Sequence, residues 1–125
     1  MTSKRRTWLR KFSDAFRGTW VAFRDNSSFW VHVSCALGVT AAAWGLQLSP
    51  LRWAILLLCI ALVMGIEALN TALEEMAKAV DKQFNPHVRD ALDIGSAAVL
   101  IVALGAAIVG GIVLLPPLLT ALGCW

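Results

Sequence analysis

A chain of 125 residues that is 58% hydrophobic and only 15% charged is too apolar for an ordinary soluble domain and too short for more than one, so residues 1–125 read as a single unit. The net charge of +3 reads as an orientation signal plus attraction to anionic lipid, and excludes a nucleic-acid footprint. The fold class this implies is an all-α integral membrane protein.

In chain order, the first expected element is a surface helix over about 4–25. Lys4 to Arg24 has no continuous apolar core and no small-residue cleavage site, so it does not read as a signal peptide. Trp8, Phe12, Phe16, Trp20 and Phe23 fall within an arc of roughly 120° on a helical wheel, opposite Arg10, Asp14, Arg17 and Arg24, the pattern of a helix lying in the membrane interface.

Three apolar blocks follow, 29–48, 51–79 and about 91–122, the last broken near its end by Pro116-Pro117, with membrane helices expected over 29–48, 51–79 and 91–115. Ser49-Pro50 makes a tight turn, so the first two blocks should form an antiparallel hairpin. Of the eleven basic residues, Lys4, Arg5, Arg6, Arg10, Lys11, Arg17 and Arg24 precede the first block, Lys78, Lys82 and Arg89 lie between the second and third, and only Arg52 sits at the first turn. Positive-inside bias then places the N-terminus and the second connection in the cytoplasm.

The third block carries Gly95, Ala98, Ala103, Ala106, Ala107, Gly110 and Gly111, several at a spacing that lets helices approach closely. Three spans alone have little room to enclose a site, so an oligomer is expected. Cys35, Cys59 and Cys124 are odd in number and show no metal or disulfide spacing. Cys35 and Cys59 read as small hydrophobes in the helix packing.

The chemistry concentrates where the second block runs into polar residues. Ala54 to Ile66 is uncharged and covers only about 20 Å of a roughly 30 Å hydrocarbon core, so the same helix must continue through Glu67, Asn70 and Glu74. Their i, i+3, i+7 spacing places them on one stripe. An ionised side chain at mid-bilayer costs about 2.5–3.5 kcal/mol, so an acid at that depth points to function. Asp93, one turn into the third helix, can sit level with Glu74. Two acids on adjacent helices with an amide nearby suit a hard cation such as Mg2+, which takes one or two carboxylates plus waters and phosphate oxygens. Glu67, deeper and less solvated, suits a general base facing a lipid head group.

Other polar residues have structural readings. Glu75 and Asp81 lie on other faces and are expected to pair with Lys78, Lys82 or Arg89, and Asn70 could also act as interhelical glue. His32 and His87 have no partner at ligand spacing and read as structural. No phosphate-binding glycine loop and no protein-kinase signature is present.

Glu67-Ala68-Leu69-Asn70-Thr71-Ala72-Leu73-Glu74, followed by Asp93-Ile94-Gly95-Ser96-Ala97-Ala98-Val99-Leu100, resembles the prokaryotic diacylglycerol kinase family, which includes the undecaprenol kinases. The resemblance covers almost the whole chain. It implies a homotrimeric lipid kinase of the bacterial inner membrane that moves the γ-phosphoryl group of MgATP onto a lipid hydroxyl, with sites between subunits. Carried over by position, it implies Glu67 as the catalytic acid beside the lipid, Glu74 as a metal-binding glutamate, Asn70 and Asp93 on the nucleotide side, and Ser96 near the lipid. Two departures stand out. Asn26 occupies a position where the family usually has a second metal-binding glutamate, and Leu92 precedes Asp93 where a lysine is common. Asn26 can still offer a carbonyl oxygen, and Arg89 or Lys82 can stand in for the missing cation beside the phosphates.

The resulting expectation is an ATP-dependent kinase of a membrane lipid alcohol. Diacylglycerol is placed ahead on the Gly-Ser-Ala-Ala-Val-Leu run, with undecaprenol behind it on Phe29-x-x-His32 and the final Leu-Pro. A non-catalytic assembly protein retaining the fold is the rival that the departures allow. A small ion pathway is weaker, because Ala54 to Ile66 offers no polar residue.

Overall fold

A computed structural model of the chain describes residue 5 and residues 7–24, 26–80 and 85–124. The described residues form four helices: α1 (Trp8–Arg24), α2 (Ser27–Gly45), α3 (Pro50–Val80) and α4 (Pro86–Ala121). Side-chain caps set two of the starts. Asn26 has extended backbone and its Oδ1 accepts from Ser28 N at 3.1 Å to begin α2; Asn85 accepts from His87 N at 2.9 Å to begin α4, with Pro86 in its first turn. The α2–α3 turn puts Gln47 in the left-handed region, at φ 51°, and α4 ends on Gly123 at φ 76°, a conformation that costs glycine little.

At about 1.5 Å per residue, the 31 residues of α3 and the 36 of α4 each exceed a 30 Å hydrocarbon core, and both are apolar enough to cross one. Only 17% of the most apolar window of α3 and 6% of that of α4 are buried within the chain, so these helices present their apolar faces outward. In water such faces would oppose folding; in lipid they are the side chains a spanning helix should show. Two long outward-facing apolar helices are consistent with a membrane protein. The nineteen residues of α2 include His32 and three serines and are less apolar than either.

The apolar core lies at one end, where the α2–α3 turn meets α4. Ala43, Leu48, Leu56 and Val113 are buried there, packed by Val39, Trp53 and Leu114. At the other end Phe23 of α1 stacks edge-on to the buried Phe29 with ring centroids 3.8 Å apart, and lies 5.6 Å from Trp30. Phe23 therefore leaves the outward aromatic stripe expected of α1, and Trp8, Phe12, Phe16 and Trp20 remain exposed on it.

α4 departs from expectation at its C-terminal end, because it continues through Pro116-Pro117 to Ala121. A proline cannot donate to the carbonyl four residues back, so Pro117 frees the carbonyl of the buried Val113. Arg52 Nη1 reaches across from α3 and donates to that oxygen, and Thr120 Oγ1 donates to Pro116 O at 3.0 Å. The lone basic residue at this end thus supplies the donor that proline removes. Arg52→Leu is expected to strand that carbonyl and lower unfolding stability by about 1–3 kcal/mol, read by thermal denaturation in lipid-supplemented micelles. An unchanged midpoint would mean the bond contributes nothing.

Candidate functional site

The site is built around Glu67, which is only 3% exposed despite its charge. It lies on α3 and turns toward α2. Asn26 Nδ2 approaches Glu67 Oε1 at 3.5 Å, the outer limit of a hydrogen bond, and donates more firmly to Thr71 Oγ1 at 2.8 Å. Thr71 Oγ1 in turn donates to the Glu67 carbonyl at 3.1 Å. The other carboxylate oxygen, Oε2, is buried and has no hydrogen-bond partner; His32 Nε2 stands 3.6 Å from it. A buried acceptor left open is costly, by about 1–3 kcal/mol, and in a native site it marks where a further donor belongs.

One turn along, Asn70 faces α4. Its Nδ2 donates to Glu74 Oε1 at 3.2 Å, while its Oδ1 is buried and unpartnered. Gly95 makes this possible. A Cβ at that position would stand 2.5 Å from Asn70 Oδ1 and 3.1 Å from Leu73 Cδ1, so glycine lets α4 approach α3 here with the Asn70 amide in place. Glu74 is exposed beyond this contact. The predicted stripe therefore divides: Glu67 looks to α2, Asn70 to α4, and Glu74 to solvent.

The remaining predicted residues lie apart from this centre. Asp93 pairs with Arg89 at 4.0 Å on a solvated face, where both side chains are about 70% exposed and the pair contributes little. Ser96 is exposed on α4, next to Gly95. Glu75 pairs with Lys78 at 2.9 Å, as expected of a solvated face. Lys82 and Asp81 lie outside the described residues. Among the described residues no three His, Cys, Asp or Glu side chains converge as a metal cluster. That is compatible with Mg2+, which needs only one or two protein carboxylates when phosphate and water complete its shell, and Glu74 beside Asn70 offers one.

Two participants were missed in the sequence. Thr71 follows Glu67 by one turn and carries no signal alone. His32 was read as structural because its own helix offers no partner, yet it stands against Glu67 across the α2–α3 interface. His32, like Glu67, is an ionisable side chain in an apolar run, and that is the signal that marks it. His32 also closes one end of an apolar groove of about 290 Å3 between α2, α3 and α4, lined further by Val39, Cys59, Val63, Ala103 and Ala107. Both Cys35 and Cys59 line this groove as small hydrophobes.

Glu67 is thus a buried acid with one carboxylate oxygen open, beside a histidine that lines an apolar groove. Residues 13–114 match the family model of prokaryotic diacylglycerol kinase, and the chain belongs to that family. Among its relatives, it is 39% identical over 113 residues to a diacylglycerol kinase of Synechocystis sp., an alignment covering 90% of this chain and 65% of that protein. It is 30% identical over 111 residues to an undecaprenol kinase of Bacillus subtilis, covering 89% of this chain and 90% of that one. The chain thus spans a little under two thirds of the first relative and nearly all of the second.

Proposed function

We propose that this protein transfers the γ-phosphoryl group of ATP to the hydroxyl of a membrane lipid, diacylglycerol by first choice. Family membership supports the reaction class, and the observation that carries the site is the buried Glu67 with its open Oε2. Counted from Pro50 at about 1.5 Å per residue, Glu67 lies about 26 Å along α3 and Glu74 about 36 Å, so across a 30 Å core the first stays just inside and the second emerges. That difference in depth is what the reaction needs. The lipid hydroxyl arrives from the apolar side and gives its proton to Glu67; its oxygen bonds the γ-phosphorus as the bond to the bridging oxygen breaks and ADP leaves.

Glu74 is the residue proposed to hold Mg2+, with the carbonyl of Asn26 as a second donor; the ion, when bound, neutralises charge on the phosphates. Asn26 Oδ1 already accepts from Ser28 N but retains a lone pair. Asn26, Asn70, Glu74, Asp93, Arg89 and Lys82 form the proposed nucleotide side, and Glu67 with Ser96 the lipid side. In this reading α2 is a third membrane span, the N-terminus is cytoplasmic, the membrane is the bacterial inner membrane, and outward-facing α3 and α4 pack against copies in a homotrimer. Undecaprenol is the second substrate reading, favoured by an undecaprenol kinase aligned over nearly its whole length.

The test is transfer of labelled phosphate from ATP by purified protein to a panel of diacylglycerol, undecaprenol and ceramide. Transfer to none of them by folded protein in lipid would leave the non-catalytic assembly protein as the better account. Glu74→Gln is expected to raise the Mg2+ concentration for half-maximal activity, since ligand charge tunes affinity for hard cations. An equal Mg2+ midpoint in variant and parent would remove Glu74 from the metal.

A further inference from the structure

We propose that His32 contacts the reacting lipid: its Nε2–H donates to the same hydroxyl that gives its proton to Glu67 Oε2. The inference rests on the phosphoryl-transfer reading above. Three observations carry it. Glu67 is buried, and of its two oxygens only Oε2 lacks a partner. His32 Nε2 stands 3.6 Å from it, too long for a direct hydrogen bond and close enough for both atoms to reach a third. A hydroxyl oxygen about 2.8 Å from each satisfies both. Finally, His32 stands at the end of the apolar groove between α2, α3 and α4, so a hydrocarbon chain lying along Val39, Val63 and Ala107 brings its polar end to this pair.

Imidazole suits the task chemically. In its neutral form it donates from one nitrogen without a charge to bury, which a lysine or arginine at this depth could not do. The atoms balance without a further reagent. The hydroxyl proton passes to Glu67 Oε2, the oxygen forms its bond to the γ-phosphorus with one lone pair, and the hydrogen bond from His32 occupies another and fixes its direction. ADP carries away the electrons of the broken bond. His32 takes no proton from the substrate; it holds the nucleophile in line, where misplacement by an ångström costs on the order of a hundredfold.

The experiment measures steady-state kinetics with lipid and ATP varied separately, on the parent, His32→Leu, His32→Gln and His32→Asn in the same lipid mixture. His32→Leu is expected to lower kcat/KM for lipid by about thirtyfold or more, with KM for ATP within about twofold, as positioning effects of this kind allow. Glutamine places an amide nitrogen near the position of Nε2 and asparagine falls short of it. His32→Gln should therefore recover to within about fivefold of the parent and His32→Asn should not. This contrast decides the matter if the leucine variant does not fold. Activity of His32→Leu within about threefold of the parent, asparagine equal to or better than glutamine, or a loss carried equally by ATP would overturn the role of His32 alone. A folded parent that phosphorylates no lipid overturns the reading of the reaction and this inference together.

Discussion

Glu67→Gln is expected to cut lipid phosphorylation at least a hundredfold while leaving ATP affinity nearly unchanged, because a positioned base contributes about 10²–10⁴ in rate. The structure sharpens this expectation. Glu67 Oε1 faces the Asn26 amide and Oε2 faces His32, so a glutamine must turn its NH2 toward one of these donors or lose the geometry of both. Its volume is kept and its ability to take a proton is lost. Single-turnover transfer and equilibrium nucleotide binding, measured on one preparation, separate the two effects. A loss of less than tenfold would mean that Glu67 is not the base.

The second large effect is expected at Gly95. Alanine there drives a methyl to 2.5 Å from Asn70 Oδ1 and 3.1 Å from Leu73 Cδ1, and either the Asn70 amide turns aside or α4 moves off α3 to relieve it. Overpacking of this kind costs about 1–3 kcal/mol. Activity should fall as well, because the displaced amide is the one that donates to Glu74 Oε1. The pairing can be isolated. Asn70→Ala removes the oxygen that the methyl meets, so the double variant should be more stable than Gly95→Ala alone, with a coupling of about 0.5–3 kcal/mol in a thermal-denaturation cycle. Additive losses would mean that α4 is held off by something other than Asn70.

These two residues also show how far local pattern reached. Glu67 was legible because an acid embedded in an apolar run is conspicuous at any depth, whereas the apolar blocks put the starts of α2 and α4 at 29 and 91, short of the polar caps Asn26 and Asn85 where the helices begin. The small residues of α4 announced a close approach; they did not say that Gly95 would meet Asn70. What failed to show in the sequence was contact between helices. Asn26 lies 41 residues from Glu67, and His32 lies on the far side of a turn, so no spacing rule within one helix could join them. The continuation of α4 through Pro116-Pro117 was hidden for the same reason: the rule that proline ends a helix assumes no outside donor, and Arg52 is one.

The uneven distribution of buried apolar side chains gives the molecule a gradient of local stability along its length. Around Leu48, Leu56 and Val113 the helices are stitched by packing and by Arg52, whereas the end that holds Glu67 relies on an aromatic corner and a few polar contacts. Regions with few buried apolar contacts open at low free energy. The helices should therefore part more readily at the Glu67 end than at the other, like a clothes-peg sprung at its hinge. On the proposed reaction, a lipid hydroxyl would reach the buried acid sideways from the bilayer, and a chain closed most firmly at the far end leaves that passage cheap to open.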